Sequence, residues 1–117
     1  MIELTILGKP ITKKNSQQIV TNKKGRPFII PSKQFKQYQK LFLSQVRYKG
    51  EPIDEPVNVQ AIYYMPTRHR VDITNLMNAT HDLLVDAKVI ADDNSKIVKT
   101  VDCIRVKYDK DNPRVEI

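Results

Sequence analysis

The chain has no tryptophan, one cysteine and three glycines, and only 7% of its 117 residues are aromatic. A lone Cys103 excludes an internal disulfide framework, and its apolar-alternating surroundings predict a small buried side chain instead of a reactive thiol. No apolar run approaches the ~18 residues that cross a bilayer, so no membrane partner is expected. The first residues carry an acid, Glu3, where a secretory signal would carry cations. A cytoplasmic, intracellular protein is the expectation. Acid is also scarce for long stretches: residues 1–50 hold eleven Lys and Arg against Glu3 alone.

What is present is a basic body with one acidic segment. Net charge is +7, yet residues 72–93 contain Asp72, Asp82, Asp86, Asp92 and Asp93 against one cation, Lys88. A pI near 9.6 favours an anionic partner, with nucleic acid the leading candidate. Nothing forms the basic amphipathic helix of a membrane-surface binder. Cations that hold phosphates, around carboxylates that hold divalent ions, would suit a metal-dependent enzyme acting on nucleic acid. The length fits one domain, residues 1–117, with a modest core.

Along the chain, alternation predicts a strand over residues 2–7. Ile19-Val20 and Phe28-Ile29-Ile30 then flank a basic tip containing Gly25, the pattern of a hairpin. Ahead of it, Lys13, Lys14 and Asn15 offer groups that grip phosphate without reading sequence; a solvated loop is the alternative. Ser32 is the expected cap of a helix running to about Tyr48, with Phe35, Tyr38, Leu41 and Phe42 on its core side. A strand over 57–64 follows, and Thr67-Arg68-His69-Arg70 delivers the chain to Asp72. Arg68 and Arg70 are therefore the better-placed phosphate contacts; His69, without spaced partners, is read as polar surface.

A second helix is predicted from Asp72 or Thr74 to about Ala87. At 100° per residue, Ile73, Leu76, Met77, Thr80, Leu83, Leu84 and Ala87 share one arc. Asp72, Asn75, Ala79, Asp82 and Asp86 form a stripe beside it, while His81 is expected to face solvent. Beyond Asp92-Asp93, alternation predicts one long strand over residues 97–106 and a terminal hairpin closed by residues 114–117. Along the helix, Asp72 and Asp82 are about 15 Å apart, too far to share a pair of metals ~3.5–4 Å apart. Residues 88–93, if extended, cover about 20 Å, matching roughly 22 Å of helix, so Asp92 or Asp93 can return to Asp72. Each feature alone also reads as a helix cap or a turn.

Asp72-Ile73-Thr74-Asn75-Leu76, Asp82-Leu83-Leu84 and Val89-Ile90-Ala91-Asp92-Asp93, with the early Gly8-Lys9-Pro10-Ile11-Thr12-Lys13-Lys14-Asn15-Ser16, resemble the RusA family of Holliday-junction-resolving endonucleases. The resemblance implies a small α+β fold, a mixed β-sheet packed with two main helices, in a homodimer. It further implies Mg²⁺ or Mn²⁺ as cofactor, no small-molecule cofactor, and paired nicks in four-way DNA junctions during recombination and repair. Asp72 and Asp93, with Asp92, match the metal-binding carboxylates; Asn75 matches the motif asparagine and Asp82 the mid-helix acid. Two positions depart: Thr74 stands where many members carry a second aspartate, and Asn78 where a functional lysine often sits. A non-catalytic DNA-binding module of the same fold, or a basic RNA-associated domain, are the alternative expectations.

Overall fold

The computed structural model describes residues 2–12, 18–21, 23–30 and 33–117. Lys13, Lys14, Asn15 and the expected cap Ser32 lie outside the described residues. The architecture is α+β: a four-stranded mixed sheet, two short strand pairs and two helices.

The first strand, β1 (Thr5–Leu7), occupies one edge of the main sheet. The predicted hairpin forms as β2 (Gln18–Thr21) paired antiparallel with β3 (Pro27–Ile30). Gly25 supplies the left-handed residue of its turn, at φ +78°. Helix α1 (Lys33–Gln45) stops three residues earlier than predicted. It buries Phe35, Tyr38 and Phe42, but Leu41 is turned outward. Leu41 lies over Gly8, where φ is +113° and any Cβ would come within 2.7 Å of the leucine side chain. Gln45, at the end of α1, accepts from Leu7 N at 2.8 Å and donates to Leu7 O at 2.9 Å. Its amide thereby satisfies backbone groups of an edge strand.

The strand predicted over 57–64 divides into β4 (Val57–Asn58) and β5 (Ile62–Met65). The long strand predicted over 97–106 likewise divides, into β6 (Val98–Thr100) and β7 (Arg105–Tyr108). The cause is a mismatch in residue count. Val57 pairs with Val98, Asn58 with Thr100 and Ile62 with Arg105, so the later strand has two more residues than its parallel partner. One extra residue falls between Val98 and Thr100, and the other is looped out at Asp102–Cys103, where Cys103 adopts φ +58° and Asn58 Oδ1 accepts from Asp102 N. Cys103 is consequently exposed, against the buried position its alternation suggested.

Between the two parallel pairings lies helix α2 (Ile73–Asp86), the crossover that parallel strands require. The last strand, β8 (Arg114–Glu116), does not close a hairpin with β7. Both flank β5, on opposite sides, giving the order β1-β8-β5-β7. The connecting turn passes over the end of β5, with Asp109 N donating to Met65 O. Arg114 secures this crossing. It donates to Asp109 and Glu116 carboxylates, each at 2.9 Å, and its guanidinium stacks 3.8 Å over the Tyr64 ring.

The inner face of the sheet contributes Ile6, Tyr63 and Val115 to a core completed by Phe42 from α1 and Leu76 and Leu83 from α2. One polar link crosses it. The Tyr63 hydroxyl lies 3.1 Å from the Leu76 carbonyl and 2.6 Å from Thr80 Oγ1, which is itself 3.0 Å from that carbonyl. Burial pushes the Tyr63 hydroxyl pKa up to about 12, so it remains a donor. Tyr63→Phe should lower stability by about 1 kcal/mol, because Thr80 still donates to Leu76 and only one buried bond is lost. Urea denaturation checks this: a lower midpoint at unchanged m is expected, and an unmoved midpoint contradicts it.

Candidate active site

The exposed loop carrying Arg68, His69 and Arg70 runs from β5 to α2. Arg68 is held over the Tyr108 ring, 4.6 Å from its centroid, which ties this cation to β7. The chain then reaches Asp72 in extended conformation, and α2 begins. Asp72 Oδ1 accepts from Thr74 N at 2.9 Å and Asn75 N at 3.4 Å, while Asp72 O accepts from Leu76 N. Asp72 is thus the N-cap, and its charge complements the positive end of the helix. Both side-chain contacts use one oxygen. Among the described residues Oδ2 accepts none, and the residue is exposed.

The acidic stripe lies beside the buried face as its spacing predicted. Ala79 is buried, Asn75 and Asp82 are half-buried, and Asp72 and Asp86 are exposed. Asp86 accepts from Gln39 Nε2 at 2.9 Å, so it joins α2 to α1. On the other flank, Thr74, Asn78 and His81 follow one another at +4 and +3, with the first two exposed. His81 corrects the expectation of a solvent-facing residue: it is 7% exposed. Of its four neighbours one turn away, Met77, Leu84 and Val85 are apolar and only Asn78 is polar, and that was the signal available in the sequence.

After α2 the chain reverses at Lys88, φ +60°, with Lys88 N donating to Val85 O and Val89 N to Leu84 O. Ile90 then pairs with Ile53, fixing the return path. The return ends in a turn that separates the two aspartates. Asp92 is committed to the turn itself, accepting from Asp93 N at 2.8 Å and from Asn94 Nδ2 at 3.1 Å. Asp93 is exposed, and among the described residues its carboxylate accepts no hydrogen bond. Its field reaches α2 at His81. Burial lowers the His81 pKa, opposed by the negative charges of Asp93 and then Asp82. His81 is nine residues past Asp72, about 13 Å along the helix.

Among the described residues, no three His, Cys, Asp or Glu side chains gather into a metal-binding cluster. The donor chemistry nevertheless fits a hard divalent cation. Asp72 and Asp93 offer uncommitted, exposed carboxylate oxygens, and Thr74 and Asn75 add neutral oxygens nearby in sequence.

The model of the family described as Endodeoxyribonuclease RusA matches residues 7–117. The chain belongs to the RusA family. A curated relative, the crossover junction endodeoxyribonuclease RusA of Aquifex aeolicus (strain VF5), is 28% identical over 93 residues, which are 80% of this chain and 72% of the relative. The mixed sheet with two helices agrees with the α+β fold expected of a RusA domain. Membership makes the chain a nuclease of the DNA-cutting kind, consistent with its basic body. No helix among the described residues is long and apolar enough to cross a membrane.

Because Asp72 is a cap as well as a candidate ligand, its two roles are separable. Asp72→Ala should cost about 1 kcal/mol, whereas Asp72→Asn keeps a capping oxygen and most of that stability. Thermal or urea unfolding of the two variants measures the difference; equal losses would contradict the cap.

Proposed function

We propose that the chain is a divalent-metal-dependent endonuclease that resolves four-way DNA junctions as a homodimer. The observation that carries this reading is two exposed aspartates with open oxygens, Oδ2 of Asp72 at the cap of α2 and the carboxylate of Asp93 after the Asp92 turn, on a chain of net charge +7. The family membership and the name of the Aquifex relative support the choice of substrate.

In this reading Asp72 and Asp93 hold the ion, with Asp92 shaping the turn that presents Asp93. A bound Mg²⁺ or Mn²⁺ would neutralise phosphate charge and lower the pKa of an attacking water. Asn75, half-buried beside Asp72, orients its neighbours or the phosphate through its amide. Asp82, half-buried further along the stripe, supports this arrangement. Arg68 and Arg70 hold the DNA backbone next to the site, and Lys13, Lys14 and Asn15 add phosphate-binding groups to it. Thr74 and Asn78 put a hydroxyl and an amide, both neutral, where a second acid and a lysine are common in the family. A junction has two-fold symmetry, so a two-fold dimer sets one site against each of two matching strands. Such an enzyme works in the cytoplasm, on chromosomal or phage DNA.

Cleavage of a synthetic four-way junction with Mg²⁺ tests the proposal. Wild type should cut in symmetric pairs. Asp72→Asn and Asp93→Asn should each lose on the order of a hundredfold in rate, the scale of removing one electrostatic contact at a reacting group. Tight junction binding by a wild type that does not cut would sink the nuclease reading. It would favour a non-catalytic DNA-binding module, which the neutral Thr74 and Asn78 motivate. Equal affinity for junction, duplex and RNA would favour an RNA-associated domain.

A further inference from the structure

Arg68 is a cation with a fixed seat and no counter-ion. Its guanidinium lies over the Tyr108 ring, 4.6 Å from the centroid, and it forms no ion pair among the described residues. The acid next to that ring is already engaged. Asp109 Oδ2 accepts from Arg114 at 2.9 Å, and its Oδ1 accepts from Asp111 N and Asn112 N, each at 3.2 Å. Arg114 makes the contrast. It also stacks on a tyrosine, Tyr64, but the Asp109 and Glu116 carboxylates neutralise it and its side chain is only 17% exposed. Arg68 is exposed, and so is Arg70, which makes no such ring contact among the described residues.

The ring beneath Arg68 is fixed to the sheet. Tyr108 pairs with Met65 in the β5–β7 register, and Asp109 N donates to Met65 O at 2.9 Å. Arg68 follows Met65 by three residues, so the loop and the ring share one anchor. Tyr108 itself is 45% exposed, in an edge strand whose four residues are all exposed. A guanidinium over a ring face keeps its in-plane N–H donors free, and their fork matches the oxygens of a phosphate. The rotamer freedom of this long side chain is then restricted before any anion arrives, which lowers the cost of binding one.

We propose that Tyr108 is a positioning residue for DNA binding: it holds Arg68 as a preset clamp on one backbone phosphate and does not itself touch the nucleic acid. The clamp stands four residues before Asp72, at most about 14 Å along the chain. It therefore grips the same stretch of backbone that faces the candidate ion. Arg68 and Arg70 are unequal in this account: the first fixes a register on the strand, and the second adds charge. The clamp rests on the reading of the partner as DNA; the stack on Tyr108 does not.

Two measurements on the full chain test this. In the ¹H–¹⁵N spectrum without DNA, the Arg68 Nε–H resonance should move in Tyr108→Leu and stay near its wild-type place in Tyr108→Phe. An Arg68 resonance that ignores Tyr108→Leu overturns the proposal. The second is binding of a synthetic four-way junction in EDTA, followed by fluorescence anisotropy across a salt series. Arg68→Ala should weaken binding about tenfold and reduce the salt slope by about one. Tyr108→Leu should weaken it about threefold at an unchanged slope, because the charge stays and only its seat is lost. Tyr108→Phe should bind like wild type, and Tyr108→Leu should add nothing in the Arg68→Ala background. A loss from Tyr108→Leu that persists without Arg68 overturns the positioning role, as does wild-type affinity in a folded Tyr108→Leu. If wild type binds the junction and Arg68→Ala binds it equally well, the clamp fails and the nuclease reading stands. A wild type that binds no DNA removes the DNA reading and the clamp together.

Discussion

Tyr63 fixes where α2 lies on the sheet, and every candidate site residue on that helix takes its position from this. Apolar contacts from Leu76, Leu83 and Leu84 hold the helix down but permit sliding and rotation. The two hydroxyls of Tyr63 and Thr80, meeting at the Leu76 carbonyl, permit neither without breaking a buried bond. With that rotation set, Asp72 opens the helix at the end of the β5 loop. The stripe through Asn75 and Asp82 lies on one flank, and Thr74, Asn78 and His81 lie on the other.

The second determinant is the path after the helix. The left-handed Lys88 turns the chain, the Ile53–Ile90 pairing holds it, and the Asp92 turn precedes the exposed Asp93. Four of the five aspartates of the acidic segment consequently have distinct work. Asp86 binds α1 and Asp92 shapes a turn. Asp72 caps the helix with one oxygen and keeps the other open, and Asp93 keeps both. Concentrated acid in a basic chain singles out the segment, and hydrogen-bond partners distinguish its members.

The elements with a strong period were legible in the sequence. Helix α2 and its cap came from the arc of apolar residues and the position of Asp72, because 3.6-residue spacing is a local property. The hairpin of β2 and β3 was legible for the same reason. The division of the two long strands was not, since the two-residue surplus appears only when residues 98–105 are laid beside residues 57–62. Exposure of Cys103 follows from that looped-out surplus and was hidden with it. The placement of β8 between β1 and β5 was also non-local: an adjacent hairpin and a split one have the same alternation. His81 was misread because polarity was given more weight than its apolar neighbours at one helical turn. The phosphate-binding roles of Lys13, Lys14 and Asn15 rest on charge and motif alone.

Thr74 and Asn78 are neutral, so in the proposed site the charge on the ion's side comes from Asp72 and Asp93. The central claim is that these two carboxylates serve one divalent ion. Anomalous diffraction from a Mn²⁺-soaked crystal tests it most directly. The account predicts an anomalous peak within coordinating distance of both Asp72 and Asp93. A peak elsewhere, with these two carboxylates unliganded, would contradict it.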